Sequence, residues 1–242
     1  MLVDIEGFIL NETAYGETSK IIHVFTHEYG LIGIMCKGAK SLKSRLRAAT
    51  LKYTYAKFTI HYKENKLSVL NQADILNPLK NIRTDITLIS FITYLSELTY
   101  QVLKQSNNKE IYEDFLNVIL KIETGLDPIV LTNILEIKYL NELGVLFNLD
   151  ECVICGNKTN IVTISSDKGG YICKDCHTNE MIVDKKVIQM LRMYYYVNIK
   201  SISNLKIDDD TKNAINFFLD NYYERYTGLY LNSKKFLKSL TN

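Results

Sequence analysis

The chain has 242 residues, a formal net charge of +2, 47% hydrophobic residues and 23% charged ones. That is an ordinary globular composition, with enough length for one large core or two smaller ones. No apolar run reaches the roughly 18–20 residues that span a bilayer, and the N-terminus, MLVDIEGFILNET, has acids where a secretion signal carries bases, so the expectation is a cytoplasmic protein with no membrane partner.

The first 80 residues predict β structure. GFILNET, KIIHVFTHE, GLIGIMCKG, YTYAKFTIHYK and KLSVLNQADIL are short runs rich in Ile, Val, Phe, Tyr and Thr. Along the fourth, Tyr53, Tyr55, Lys57, Thr59 and His61 fall on one face, and Thr54, Ala56, Phe58 and Ile60 on the other. Turn residues separate the runs at Tyr15-Gly16-Glu17, Tyr29-Gly30 and Lys63-Glu64-Asn65. Five short strands in so few residues predict a small barrel.

Charge is uneven along the chain. Residues 1–80 carry 11 Lys/Arg against 7 Asp/Glu, and 81–242 carry 18 against 20. Within 35–66 there are nine bases and one acid, Glu64. The segment CKGAKSLKSRLR alone holds Lys37, Lys40, Lys43, Arg45 and Arg47. Such a patch attracts polyanions or acidic partners, or merely keeps a loop solvated. The basic stretch 37–52 is placed between the third and fourth strands, where a loop reaches a ligand without disturbing the core.

From Pro78 the periodicity becomes helical. Residues 84–104 carry apolar residues at helical spacing after a Thr84 or Asp85 cap, and 110–122 and 128–147 continue the pattern. Pro128 suits a first turn with Asp127 as its cap. Beyond a cysteine-rich segment, helices are predicted over 184–197, opened by Asp184, and over 208–227, opened by the Asp208–Asp210 run and stopped by Gly228. Tyr194, Tyr195, Tyr196, Tyr222, Tyr223 and Tyr226 read as packing residues of these helices.

Cys152 and Cys155 form one C-x-x-C, Cys173 and Cys176 another, with seventeen residues between the pairs. This is the zinc-knuckle spacing. A two-residue spacer lets both thiolates of a tight turn face one ion, and two knuckles complete a tetrahedron of sulfurs. NIVTISS and GGYIC, on either side of Asp167-Lys168-Gly169-Gly170, predict a hairpin that joins the knuckles. Disulfides are disfavoured in a reducing compartment, and redox chemistry needs one pair rather than two. Four sulfurs leave no open coordination position, which makes the expected ion a structural zinc, one per chain. His177 adjoins Cys176 as an alternative ligand. Cys36 reads as a small buried residue.

No catalytic constellation accompanies these features. GIMCKGAK has the glycine separation of a P-loop, but Ala39 and Lys40 stand where Lys and Ser or Thr are needed. There is no G-x-S-x-G, no H-E-x-x-H and no H-x-E before the cysteine pairs. His23, His27, His61 and His177 are scattered, with His23 and His27 read as satisfied structural residues. A non-enzyme is expected.

The chain resembles the bacterial RecO family of recombinational repair mediators. The residues that carry the likeness are Glu6-Gly7-Phe8-Ile9-Leu10, Tyr15-Gly16-Glu17, Phe25-Thr26, Gly30-Leu31-Ile32, Lys37-Gly38-Ala39-Lys40 with Lys43-Ser44-Arg45-Leu46-Arg47, the two C-x-x-C pairs, and Ser233, Phe236 and Leu237 near the end. Where the family often has a run of arginines, this chain has mostly lysines, which keeps the charge but reduces bidentate phosphate contacts. The resemblance implies an α+β protein: an N-terminal five-stranded OB-fold barrel over 1–80, then an all-α domain over 81–242 with an inserted four-cysteine zinc module at 150–178. It implies binding to single- and double-stranded DNA, annealing of complementary strands, and work with RecR, and in some bacteria RecF, to load RecA onto strands coated by single-strand-binding protein (SSB). Contact with the acidic C-terminal tail of SSB is implied on the helical domain, and a cytoplasmic, nucleoid-associated location follows. On this reading Lys37, Lys40, Lys43, Arg45, Arg47 and Lys52 contact phosphates, Lys57 extends the track, and Tyr53 and Tyr55 either stack on bases or pack on the surface. A protein–protein adaptor whose zinc is only a staple, and a zinc-containing nucleic-acid enzyme, are the competing classes; the latter lacks the carboxylates or open metal position it needs.

Overall fold

The computed structural model describes residues 1–241 except 107 and 205. The chain forms two compact units, Met1–Thr124 with Leu231–Asn242, and Gly125–Tyr230.

The first unit is built on five strands: β1 (Leu2–Tyr15), β2 (Ser19–Thr26), β3 (Gly30–Cys36), β4 (Tyr55–His61) and β5 (Ser68–Asn77). They close into a barrel in the order β1-β2-β3-β5-β4, sealed by antiparallel pairing of β1 with β4. The one parallel pairing, Ile34 to Ser68 and Met35 to Val69, joins β3 to β5. This five-stranded Greek-key barrel is the OB-fold. Its interior holds Ile5, Ile9, Ile22, Val24, Ile34, Cys36, Phe58 and Ile60. The alternation expected along β4 holds: Ala56, Phe58 and Ile60 are buried, while Lys57 and His61 face out. Tyr53 lies outside the strand, in a turn with φ 61°. The Cys36 thiol is pushed up to about 12 by burial, as suits an inert core residue.

Where helices cover the outer face, at residues 7–10 of β1 and 24–26 of β2, buried residues run consecutively rather than alternate. Phe8 and Phe25, turned outward, pack edge-on against Phe115 and Tyr112, with ring centroids 5.2 and 5.1 Å apart. Those partners lie on helix α3 (Tyr112–Glu123), which follows α1 (Lys80–Thr84) and α2 (Ile86–Ser106). The close approach of β1 to β2 requires Gly7, where a Cβ would stand 2.5 Å from Val24 Cγ1 and 2.7 Å from the Phe25 carbonyl oxygen.

Asp85, one of the two anticipated caps, opens α2 by accepting from the Thr87 and Leu88 amides at 2.7 and 3.0 Å. By length and composition α2 is apolar enough to cross a membrane. Its buried residues, among them Phe91, Leu95, Leu98 and Val102, belong to the core of this unit instead. His23 departs from expectation: its ring packs on Tyr100 at 5.3 Å, and its buried Nδ1 has no hydrogen-bond partner among the described residues.

A helix that the sequence reading did not separate, α7 (Asn232–Thr241), packs along α2. The Glu97 carboxylate sits at its N-terminus and accepts from the Ser233 amide at 2.8 Å and from the Ser233 hydroxyl. Leu237 is buried, whereas Phe236 is exposed.

The second unit holds α4 (Pro128–Glu142), strands β6 (Ile161–Ser165) and β7 (Gly170–Cys173), α5 (Lys185–Tyr196) and α6 (Asp209–Tyr226). α4 is apolar around nearly its whole girth and correspondingly buried from Val130 to Ile137. It ends five residues earlier than its periodicity suggests. Gly144 takes φ +70°, its amide bonds to Asn141 O, and the Val145 amide reaches back to Leu140 O. That is a Schellman termination. Asp127, Asp184 and Asp208 cap α4, α5 and α6 as the sequence predicts. Tyr194, Tyr222 and Tyr223 are buried, and the Tyr222 and Tyr223 hydroxyls donate to the Val145 and Glu136 carbonyls. Tyr196 is exposed and donates to Asp150.

Gly7→Ala is expected to destabilise the first unit by about 2 kcal/mol, because the obstructing atoms include backbone that cannot step aside. Urea unfolding followed by circular dichroism measures this, and an unchanged midpoint would contradict the packing described.

Candidate nucleic-acid interface and metal centre

β3 ends at Cys36 and β4 begins at Tyr55, and the basic stretch is the connection between them. Gly38, at φ +65°, turns the chain, and its amide donates to Ser19 Oγ while the Lys40 amide donates to Thr18 O at 2.8 Å. A succession of turns follows, each closed internally: Ser41 to Gly38 O, Ser44 to Ser41 O, Arg47 to Ser44 O, Thr50 to Leu46 O. Ala39, Ala49 and Thr50 are buried, and Leu46 packs against the barrel core. The loop is thus fastened by its small and apolar residues while its cations point away.

Lys37, Lys40, Lys43, Arg45 and Arg47 are all exposed. Among the described residues none of them forms an ion pair; Lys40 Nζ makes one long contact, 3.5 Å to Gly16 O. Lys52 is half-buried, with its ammonium 5.3 Å from the centre of the Tyr53 ring. Lys57 differs from these: Asp4 holds it at 3.0 Å. Tyr55 donates to Glu6 Oε2 at 3.0 Å.

Tyr53 sits at the loop's end in the left-handed region, uncommon for a bulky residue. Its amide donates to Ile9 O, and the Ile9 amide donates to Thr54 O, across a bulge in β1 between Ile9 and Asn11. Arg83 Nη2 clamps the same turn, donating to Tyr53 O at 2.9 Å and Thr54 Oγ1 at 3.0 Å. Beside it opens a groove of about 740 Å³, lined by Leu10, Asn11, Lys52, Tyr53, the α2 residues Thr93, Ser96, Glu97, Tyr100, Gln101 and Lys104, and Asn232 and Ser233. Sequence reasoning missed the α2 residues. The available signal was the stripe of polar positions at 93, 97, 100, 101 and 104, recurring at helical spacing on an otherwise apolar segment.

In the second unit the four cysteines converge, their sulfurs all within 4.8 Å of one another. Cys155 Sγ and Cys173 Sγ are 3.6 Å apart. A tetrahedral ion with metal–sulfur bonds of about 2.3 Å needs sulfurs about 3.8 Å apart, so the spacing suits one. The backbone forms the first knuckle through Cys152 N to Asn157 O at 2.8 Å and Gly156 N to Cys152 O at 2.9 Å. The second closes through Lys174 N to Asn160 O at 2.9 Å. His177 is engaged elsewhere, its Nε2 2.8 Å from Glu180 O.

Burial pushes the Cys152 thiol up, but backbone amides around its sulfur outweigh that and bring it down to about 6. Cys176, hydrogen-bonded to the Cys155 thiol and partly desolvated, is pushed up to about 12. One thiolate is favoured and the next is opposed, as like charges in one site require. A cation is what lets four thiolates share this space. The four cysteines could therefore hold a metal ion, with no position left for substrate.

The expected hairpin β6–β7 is present and is stitched to the first knuckle. Val153 N donates to Tyr171 O, Tyr171 N to Asn148 O, and Asn148 N to Gly169 O. Lys168, near the hairpin tip, pairs with Glu180 and holds that carboxyl down at about 2.

Comparison with known proteins agrees with both halves. Residues 1–79 match the family model for the recombination protein O N-terminal region, and residues 83–235 the model for its C-terminal region. The chain belongs to the recombination protein O family. Relatives named DNA repair protein RecO include one from Listeria monocytogenes serotype 4b (strain F2365), 34% identical over 97% of this chain and 93% of its own length. One from Bacillus pumilus is 32% identical over 99% and 95%, and one from Halalkalibacterium halodurans 33% over 97% and 94%. The RecO resemblance drawn from scattered motifs thus extends over nearly the full chain.

Gly170 is where the hairpin meets the knuckle, and a Cβ there would stand 2.6 Å from both Asn148 O and Val153 Cγ1. Gly170→Ala is expected to lower the stability of the cysteine-bearing unit by about 1–3 kcal/mol, seen as faster proteolysis within 125–230. An unchanged cleavage pattern would contradict this packing.

Proposed function

We propose that this chain is a non-enzymatic DNA-binding mediator of recombinational repair. It binds single- and double-stranded DNA, anneals complementary strands and, with RecR and where present RecF, loads RecA on SSB-coated strands. Residues 1–80 serve as the DNA-binding barrel and 81–242 as the helical part, which carries the zinc module at 150–178 and the contact for the SSB tail. The observation that carries the reading is a row of exposed cations, Lys37, Lys40, Lys43, Arg45 and Arg47, without acidic partners among the described residues, on a loop fastened to an OB barrel. OB-folds bind single strands with a basic surface. Phosphate contacts carry little sequence information, so binding has weak sequence preference. Annealing needs no catalytic group: neutralising phosphates on two strands lowers their repulsion, and base pairing supplies the drive. One structural zinc is held by Cys152, Cys155, Cys173 and Cys176 and staples the helical part.

Anisotropy titrations of a labelled single strand across a salt series test the first claim. Changing Lys40, Lys43, Arg45 and Arg47 together to Ala removes up to four phosphate contacts. The slope of log K against log salt is expected to become shallower by about 3, at roughly 0.7 per contact. Equal binding by the variant would assign the loop to a protein partner and make the adaptor reading the better one.

Elemental analysis of the purified chain is expected to give one zinc per molecule. Cys173→Ser should release it and lower the melting temperature, because such binding is coupled to folding. A metal-free variant as stable as the parent would rule out the staple.

A further inference from the structure

We propose that the groove beside Tyr53 takes one unstacked nucleotide of a single strand, its base against Tyr53 and Tyr100 and its phosphate on Lys52 and Lys104. The inference rests on the DNA-binding reading above and assigns it a second, separable site.

The groove's volume, about 740 Å³, lies within the range of sites that enclose small molecules. Its chemistry is that of a nucleotide. Two ammonium groups each lie over a tyrosine ring, Lys52 over Tyr53 at 5.3 Å and Lys104 over Tyr100 at 4.5 Å. Aromatic faces next to cations are what single-strand sites offer to bases and phosphates together. Asn11 and Asn232 bring amides able to meet a base edge. Ser96 lines the groove with a hydroxyl that is buried and has no hydrogen-bond partner among the described residues, a deficit a polar ligand or water repairs. The one carboxylate in the lining, Glu97, is consumed by Ser233.

The placement of Tyr53 adds a second line of argument. A bulky residue at φ 61° is strained, and here the strain is held by Arg83 on one side and by the β1 bulge on the other. Strain retained in this way marks residues positioned for a task. The task is not core packing, because Tyr53 is only partly buried and lines the groove. Lys52 is also the last cation of the basic stretch, so a backbone following the loop arrives at the groove. An extended acidic peptide fits less well, since Leu10 is the only aliphatic side chain lining the groove and offers little to anchor one.

A duplex keeps its bases stacked inside, so only single strands can use such a site. The test compares the full-length protein with a Tyr53→Gly, Lys104→Ala variant. Glycine relieves the left-handed strain at position 53, so folding is preserved, and the melting temperature checks this. Binding is measured for an oligo-dT strand, for a duplex of equal length, and for a single strand carrying 2-aminopurine, whose fluorescence reports stacking. Expected are about a tenfold loss of single-strand affinity, an unchanged duplex affinity, and loss of the 2-aminopurine response. Equal losses on both substrates would reduce the groove to general charge and overturn the proposal. So would no loss on either, or displacement of a groove-bound probe by an acidic peptide but not by thymidine monophosphate. The loop variant with four alanines separates the two readings. If it binds like the parent while the groove variant fails on single strands, the loop assignment falls and the groove stands; the reverse pattern overturns the groove alone.

Discussion

Barrel closure sets the position of everything else in the first unit. In the order β1-β2-β3-β5-β4, β3 pairs in parallel with β5, and β4 pairs with β1. β3 and β4 are consecutive in sequence yet share no ladder, so no tight hairpin can join them. Residues 37–54 must instead travel from the β1–β2 turn, where Lys40 bonds to Thr18, to the β1 bulge, where Tyr53 bonds to Ile9. A long connection is usually an entropic cost. Here internal turns and the buried Ala39, Ala49 and Thr50 offset it, leaving a loop that is tied down along its backbone while its exposed cations form no ion pair among the described residues.

Those charges carry a consequence of their own. The six bases of the loop, with no acid among residues 37–54, repel each other in the free protein. Carboxylates could have neutralised them, and elsewhere in the barrel they do: Asp4 pairs with Lys57, and Glu12 with Lys20. The loop's cations lack such partners among the described residues, so the deficit is selective. A polyanion gains twice at this surface, by direct contact and by relieving repulsion among its cations. Because most of these are lysines, each a mobile point charge rather than a planar fork, the contact constrains the register of a strand little. That property suits a protein proposed to let two strands find each other.

Much of this was legible in the sequence, and the omissions have physical causes. Strand alternation, aspartate caps and the paired C-x-x-C are local signals, each set by a few neighbouring residues, and they located the barrel, most helices and the cysteine cluster. α4 was overextended because apolar periodicity continues through Val145 and Phe147, while its end is set by the left-handed Gly144. α7 was missed because its lysine-rich decapeptide has little apolar surface, and Glu97, 136 residues earlier, supplies its N-terminal partner. Tyr53 read as one more strand residue; its strained turn depends on Arg83, thirty residues away. For α7 and Tyr53 the deciding contact is distant along the chain, and for α4 it is one left-handed backbone turn; apolar periodicity reports neither.

The two candidate sites differ in kind, and the difference decides where recognition chemistry lies. The cysteine cluster is closed: four sulfurs face one another, His177 is committed to Glu180 O, and Lys168 to Glu180. Its hairpin has strands of five and four residues, too short to stand alone, and leans on Asn148 and Val153 through Gly170. An ion there would stabilise a small element whose own packing is slight. The loop and its groove are open: cations without acids, tyrosine faces half exposed, and a buried hydroxyl unpaired among the described residues. A saturated site offers a ligand nothing to pair with, so the proposed DNA contacts fall on the barrel's loop and groove rather than on the cysteine cluster.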